Sequence, residues 1–140
     1  HVIVRTSWLF GPGGRNFVKA IAGLLDEGKA PRVVRDQTGA PTYSPELAPR
    51  LIDMALLDEA AGTWHLTNAG QCSWYAYARA VAEEKLIDPD VIQPVTAREW
   101  DAAATRPEYS VLDCSETWNL GIAPLPSWRE SLSDYLQNYL

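Results

Sequence analysis

The tract HVIVRTSWLFGPGGRNF, residues 1–17, constrains the fold of this 140-residue chain more than any other. Val2, Ile3 and Val4 form a β-branched run that reads as a buried strand. An arginine, two hydroxyls and a tryptophan follow, then the loop Gly11-Pro12-Gly13-Gly14. Arg15, Asn16 and Phe17 stand where a helix begins. A strand that ends in polar and aromatic groups and turns through glycines into a helix is the arrangement at which open parallel sheets bind ligands.

The remainder repeats the strand–helix alternation. Phe17, Ile21, Leu24 and Leu25 fall at i, i+4, i+7 and i+8, one face of a helix, and Gly28 suits its left-handed C-terminal cap. RVVR reads as a short strand, and DQTGAPTY as a turn-rich loop. Ser44 is expected as an N-cap, with Pro45 at the first helical position and the helix running to about Glu59. TWHLTN predicts another strand. Ser73 is placed to cap WYAYARAVAEEK, and VIQPV is a brief extended piece. Thr96 with Glu99, and Ser127 with Glu130, match capping boxes. Ser115 is expected to cap a short helix ending at Gly121, and a last helix spans Trp128 to about Tyr139. The class is therefore α/β, with mixed short strands and helices, in about one domain's length of chain.

Composition removes several functions. The formal charge of −6 argues against a nucleic-acid partner, whose phosphates need a cationic face. No apolar run approaches the ~20 residues that span a bilayer. Cys72 and Cys114 have no metal-ligand spacing and no disulfide framework, so two buried reduced thiols and a cytoplasmic location are expected. His1 and His65 are the only histidines, which leaves neither a metal site nor a base for a nucleophilic serine or cysteine. The glycine loop matches no dinucleotide or Walker pattern. It does precede a helix N-terminus, whose free N–H groups suit an anion such as a diphosphate. Six tryptophans are present. Trp64, Trp100, Trp118 and Trp128 are expected in core packing. Trp8, just beyond a strand end, is placed either to wall a ring pocket or to join the core. Arg106 precedes a proline in a loop, and its planar fork suits a diphosphate as well as a surface ion pair.

Four stretches, VRTSWLFGPGGRNFV, VVRDQTGAPTYSPELA, WHLTNAGQCSWYAYA and RPEYSVLDCS with the later PLPSWRESL, resemble in order the C-terminal half of the dTDP-4-dehydrorhamnose reductase family. That family belongs to the extended short-chain dehydrogenase/reductase superfamily. The resemblance implies the substrate-binding portion of an extended Rossmann-type reductase over residues 1–140, beginning with a late strand of the Rossmann sheet. It implies that the N-terminal cofactor-binding portion lies upstream of His1. It further implies reduction of the 4-keto group of dTDP-4-dehydro-L-rhamnose by NADPH, or by NADH, to give dTDP-L-rhamnose. Thr6 and Ser7 would face the cofactor, and Trp8 the sugar. Asn16 and Phe17 would approach the diphosphate. Gln37, Gly39, Pro41 and Thr42 match a loop that closes on the nucleotide, and Arg106 matches an arginine near the phosphates. Expected partners are the nucleotide sugar, the N-terminal half and a second copy in a homodimer.

The superfamily's catalytic Tyr-x-x-x-Lys has no match in this chain. Tyr75 is followed four residues later by Arg79, and Tyr77 by Val81. Hydride transfer to a ketone needs a proton donor for the developing alkoxide. The 140 residues alone are therefore expected to be inactive, with no catalytic residue among them and no cofactor bound to them. Two other functions share these features: a reductase or epimerase of another nucleotide sugar, and a non-catalytic regulatory subunit on the same fold, as in the beta subunit of methionine adenosyltransferase.

Overall fold

A computed structural model describes residues 1–100 and 104–140. The chain opens with β1 (Val2–Arg5) and β2 (Leu9–Phe10), then α1 (Phe17–Asp26), β3 (Arg32–Val34), β4 (Thr38–Gly39) and β5 (Thr42–Tyr43). It continues with α2 (Ser44–Ala55), β6 (Gly62–His65), β7 (Asn68–Ala69), β8 (Cys72–Ser73), α3 (Trp74–Glu84) and β9 (Gln93–Val95). The last elements are α4 (Ala97–Trp100), α5 (Ser115–Asn119), β10 (Leu125–Ser127) and α6 (Trp128–Tyr139). Strands β1 and β6 pair in parallel, Val2 opposite Gly62 and Arg5 opposite His65. The pairs β2–β5, β3–β9 and β7–β10 are also parallel, and β4–β8 is antiparallel. Parallel pairs need crossovers, and the helices supply them.

The helix ends follow local chemistry. Asn16 is extended, and its Oδ1 accepts the Lys19 N–H at 2.9 Å, capping α1. Gly28 takes φ 69 beyond the other end, and Lys29 N–H returns to the Leu24 carbonyl. Ser73 caps α3 through the Ala76 N–H, and both expected capping boxes form, at Thr96–Glu99 and Ser127–Glu130. In each box the carboxylate accepts hydrogen bonds from the cap residue, which hold Glu99 and Glu130 below the usual carboxylate range.

Several expectations need correcting. Ser44 is the first residue of α2, and Tyr43 holds the cap position without a side-chain bond. The reason is that Tyr43 is already fixed in β5, with its N–H donated to the buried Asn68 Oδ1 at 2.8 Å, so the helix starts directly after the strand. Helix α2 ends at Ala55 because Leu57 turns extended and packs into the core, and Asp58–Ala60 form a separate 3-10 turn. Ser115 begins α5 and is not its cap; Asp113 Oδ1 accepts its N–H. Strand β1 is not buried: Ile3 is 47% exposed, since only β6 pairs with it among the described residues. Trp100 and Trp118 are exposed rather than core residues.

The main core lies between α1, α3 and α6, where Val18, Ile21, Tyr77, Val81, Leu132 and Tyr135 are buried. A second cluster, Leu47, Met54, Leu66, Ile122 and Leu125, packs α2 against β6 and β10. Cys72 and Cys114 are both buried and unbonded to each other. No helix among the described residues is long and apolar enough to cross a membrane.

Candidate functional site

A cavity of about 780 Å³ opens between the chain after β1, helix α1, strand β3 and the start of α3. Its walls are mostly apolar. Phe17, Ile21 and Leu24 of α1 form one side, and Trp8 and Trp74 another. Trp100, 52% exposed, stands at the rim. Polar residues are few among the described walls: Ser7, Gln37, Ser110, Arg32 and Arg106. Among the described residues no carboxylate lines it. An apolar cleft with a few convergent polar groups is the usual form of a small-molecule site. The charged side chains among its described walls, Arg32 and Arg106, are both cationic, which suits an anion.

Among the residues expected from sequence, Ser7, Trp8, Phe17, Gln37 and Arg106 line this cavity. The others stand behind it. Thr6 is exposed at the end of β1, and its Oγ1 donates to Thr42 Oγ1 at 3.0 Å. Ser7 Oγ donates to the Ala40 carbonyl at 2.7 Å, so the β1 end is tied to the 38–42 segment at two points. Pro41 and Thr42 are buried in that segment. Asn16 is used entirely within the fold: besides capping α1, its Nδ2 donates to the Gly11 carbonyl at 3.0 Å and to Tyr135 Oη at 3.1 Å.

The backbone around Trp8 explains the glycine at 39. Trp8 adopts φ 46, the left-handed region that bulky residues rarely enter. This turns its indole against Gly39, where a Cβ would overlap Nε1, Cε2 and Cζ2 of the ring. Gly11 is similarly required: its φ of 151 and the nearby Ser44 hydroxyl leave no room for a side chain. Sequence reasoning missed Trp74, Trp100 and Arg32. Trp74 opens the helix capped by Ser73, and nothing in its sequence spacing marks it as a cavity residue. Trp100 reads as core and Arg32 carries no site signal, because their place at the cavity depends on strand β9 pairing beside β3, 61 residues away at Arg32↔Gln93.

No cluster of three His, Cys, Asp or Glu side chains capable of holding a metal occurs among the described residues. His65, whose Nδ1 lies 3.1 Å from the Asp113 carbonyl, is a packed strand residue.

The architecture is a Rossmann-type α/β fold. It superposes at TM-score 0.78 on a dTDP-glucose 4,6-dehydratase from Bacillus anthracis at 13% identity, a likeness of fold alone. A sequence model of the RmlD substrate binding domain matches residues 1–140, and the chain belongs to that family. It is 42% identical over 135 residues to the spore coat polysaccharide biosynthesis protein SpsK of Bacillus subtilis, covering 96% of this chain and 46% of that one. It is 40% identical to a dTDP-4-dehydrorhamnose reductase of Streptomyces griseus, covering 94% and 45%. The crystal structure of a dTDP-4-dehydrorhamnose reductase from Bacillus anthracis in complex with NADP superposes at TM-score 0.89 with 37% identity, covering 97% and 48%. The chain thus spans about half the length of the relatives it matches.

Proposed function

We propose that the chain is the nucleotide-sugar-binding portion of a dTDP-4-dehydrorhamnose reductase that uses NADPH. The observation that carries this is the cavity itself, whose described walls combine aromatic side chains with two arginines. A dTDP-sugar has a planar base, a dianionic diphosphate and a sugar with an apolar face, and each finds its complement there. Identities of 40% and 37% to the two dTDP-4-dehydrorhamnose reductases above, over 94% and 97% of this chain, support the reaction class.

In this assignment Arg106 and Arg32 neutralise the diphosphate, Trp8 and Phe17 pack on the apolar faces of the ligand, and Gln37 donates or accepts at a polar edge. Gly39, Pro41 and Thr42 act indirectly, by fixing the 38–42 segment against the β1 end. Asn16 shapes the start of α1. Thr6 and Ser7 stand where the strand ends, as the cofactor-facing residues. Their hydroxyl protons are donated inward, so each oxygen keeps lone pairs for a ligand amide, and Thr6 is solvent-accessible, which fits contact with a nicotinamide. NADPH, when bound, supplies the hydride. The proton donor belongs to residues outside this chain, because no Tyr-x-x-x-Lys occurs in it. A cofactor-binding half N-terminal to His1 accounts for the length of the relatives.

The test is steady-state NADPH oxidation by the full-length protein with dTDP-4-dehydro-L-rhamnose, against NADH and against UDP-linked 4-keto sugars. Turnover with NADPH and the dTDP sugar is expected. Turnover only with another nucleotide sugar would reassign the substrate, and binding without turnover would favour a regulatory subunit on this fold.

A further inference from the structure

Trp74 differs from the other cavity residues because its main contact there is Trp8. The two indole rings lie face to face, centroids 3.5 Å apart and planes within 13°. Aromatic pairs prefer offset or edge-on packing, since facing quadrupoles repel. Trp8 also holds a left-handed backbone, φ 46, in which its own Cβ is crowded. Two unfavourable geometries in one residue persist only where the surroundings over-determine them.

Trp74 supplies that determination, and its own position is fixed from three sides. It is the first residue of α3, whose start is set by the Ser73 cap. Its ring meets Phe17 at 4.7 Å and Tyr77 at 6.5 Å. Tyr77 is 1% exposed and wedged among Phe10, Phe17 and Trp128, so the base of the stack is core. A chain of ring contacts therefore runs from the buried centre through Tyr77 and Trp74 to the indole at the cavity wall.

We infer that Trp74 is a positioning residue: by lying flat against Trp8 it fixes the orientation in which Trp8 meets the ligand. Its effect on the reaction passes through Trp8. This rests on the assignment of the cavity to a nucleotide sugar. A flat ring at position 74 is required, so phenylalanine substitutes for it and leucine, which fills space without a π-face, does not.

Two measurements on the full-length protein test this. In protein labelled with 5-fluorotryptophan, the ¹⁹F resonance of Trp8 is identified by its loss in Trp8→Phe. That resonance is expected to move and broaden in Trp74→Leu and to stay sharp in Trp74→Phe. In NADPH-oxidation kinetics, Trp74→Leu is expected to lower kcat/KM about tenfold, with Trp74→Phe within about threefold of the parent, and the loss should vanish in a Trp8→Ala background. A Trp8 resonance unmoved by Trp74→Leu overturns the inference. Losses that add in the double variant also overturn it, since they would make Trp74 an independent ligand contact. If the parent protein does not turn over this sugar, the substrate assignment fails while the ¹⁹F comparison still decides the role of Trp74.

Discussion

Gly39 carries no side chain because the indole of Trp8 occupies the place a Cβ would take. The two residues are 31 apart in sequence, and the bond from Ser7 Oγ to the Ala40 carbonyl holds their segments together. The glycine is needed for space and not for backbone freedom, since its φ lies outside the left-handed region. Gly39→Ala is therefore an overpacking change, and it should destabilise the protein by about 1–3 kcal/mol. In a Trp8→Ala background most of that penalty should disappear. Urea denaturation of the four combinations measures it.

Asn16 serves the fold through three hydrogen bonds, one of them to Tyr135 at the far end of the chain. Asn16→Ala removes the cap acceptor and both donors. Loss of an N-cap alone costs about 1 kcal/mol. Leaving the partly buried partners unmade adds to it. Asn16→Asp keeps the acceptor but not the donors, and should fall between alanine and the parent in thermal melting. A melting temperature unchanged in Asn16→Ala would return this residue to the ligand site.

Leu86 follows α3 with φ 57 and is 95% exposed, so it gains no burial in exchange for its left-handed backbone. The Ile87 N–H reaches back to the Ala82 carbonyl, the bond pattern that usually carries glycine at the preceding position. Leu86→Gly should stabilise the protein by roughly 1 kcal/mol through relief of the crowded Cβ. Differential scanning calorimetry should register a higher Tm.

Burial pushes the Cys72 thiol up to about 12. A raised folded-state value means the neutral thiol is favoured in the fold. The corresponding stability is complete below the ordinary thiol range, and is lost as pH rises from that range towards 12. With Cys114 also buried, neither thiol should react with Ellman's reagent at pH 8 in the native protein, and both should react in urea. Rapid native labelling of Cys72 would contradict its burial.

The parts of the fold written in adjacent residues were legible: the strand–glycine loop–helix start, the Gly28 cap, the Ser73 cap and both capping boxes depend on spacings of four residues or fewer. The class and family were legible from four stretches in order. What escaped was set by distant pairing. The bond from Asn16 to Tyr135 was not legible, because the partner lies 119 residues on. Trp74 carries no site signal in the sequence because its facing ring belongs to the β1–β2 connection. Strand β1 looked buried from its Val-Ile-Val run, but burial depends on neighbours, and β6 is its one partner among the described residues. The shift of the α2 start by one residue came from Asn68, which claims the Tyr43 N–H from another strand.

In the proposed function the cavity holds the diphosphate of a thymidine nucleotide through Arg106 beside an aromatic wall. Isothermal titration of dTDP into the full-length protein tests it most directly, with Arg106→Ala and Trp8→Ala alongside. A charged hydrogen bond is worth about 1.5–3 kcal/mol. Arg106→Ala should therefore weaken dTDP at least about tenfold. Thymidine, lacking the diphosphate, should bind weakly to both proteins. Equal dTDP affinity in the parent and in Arg106→Ala, with native folding of both, would contradict the account.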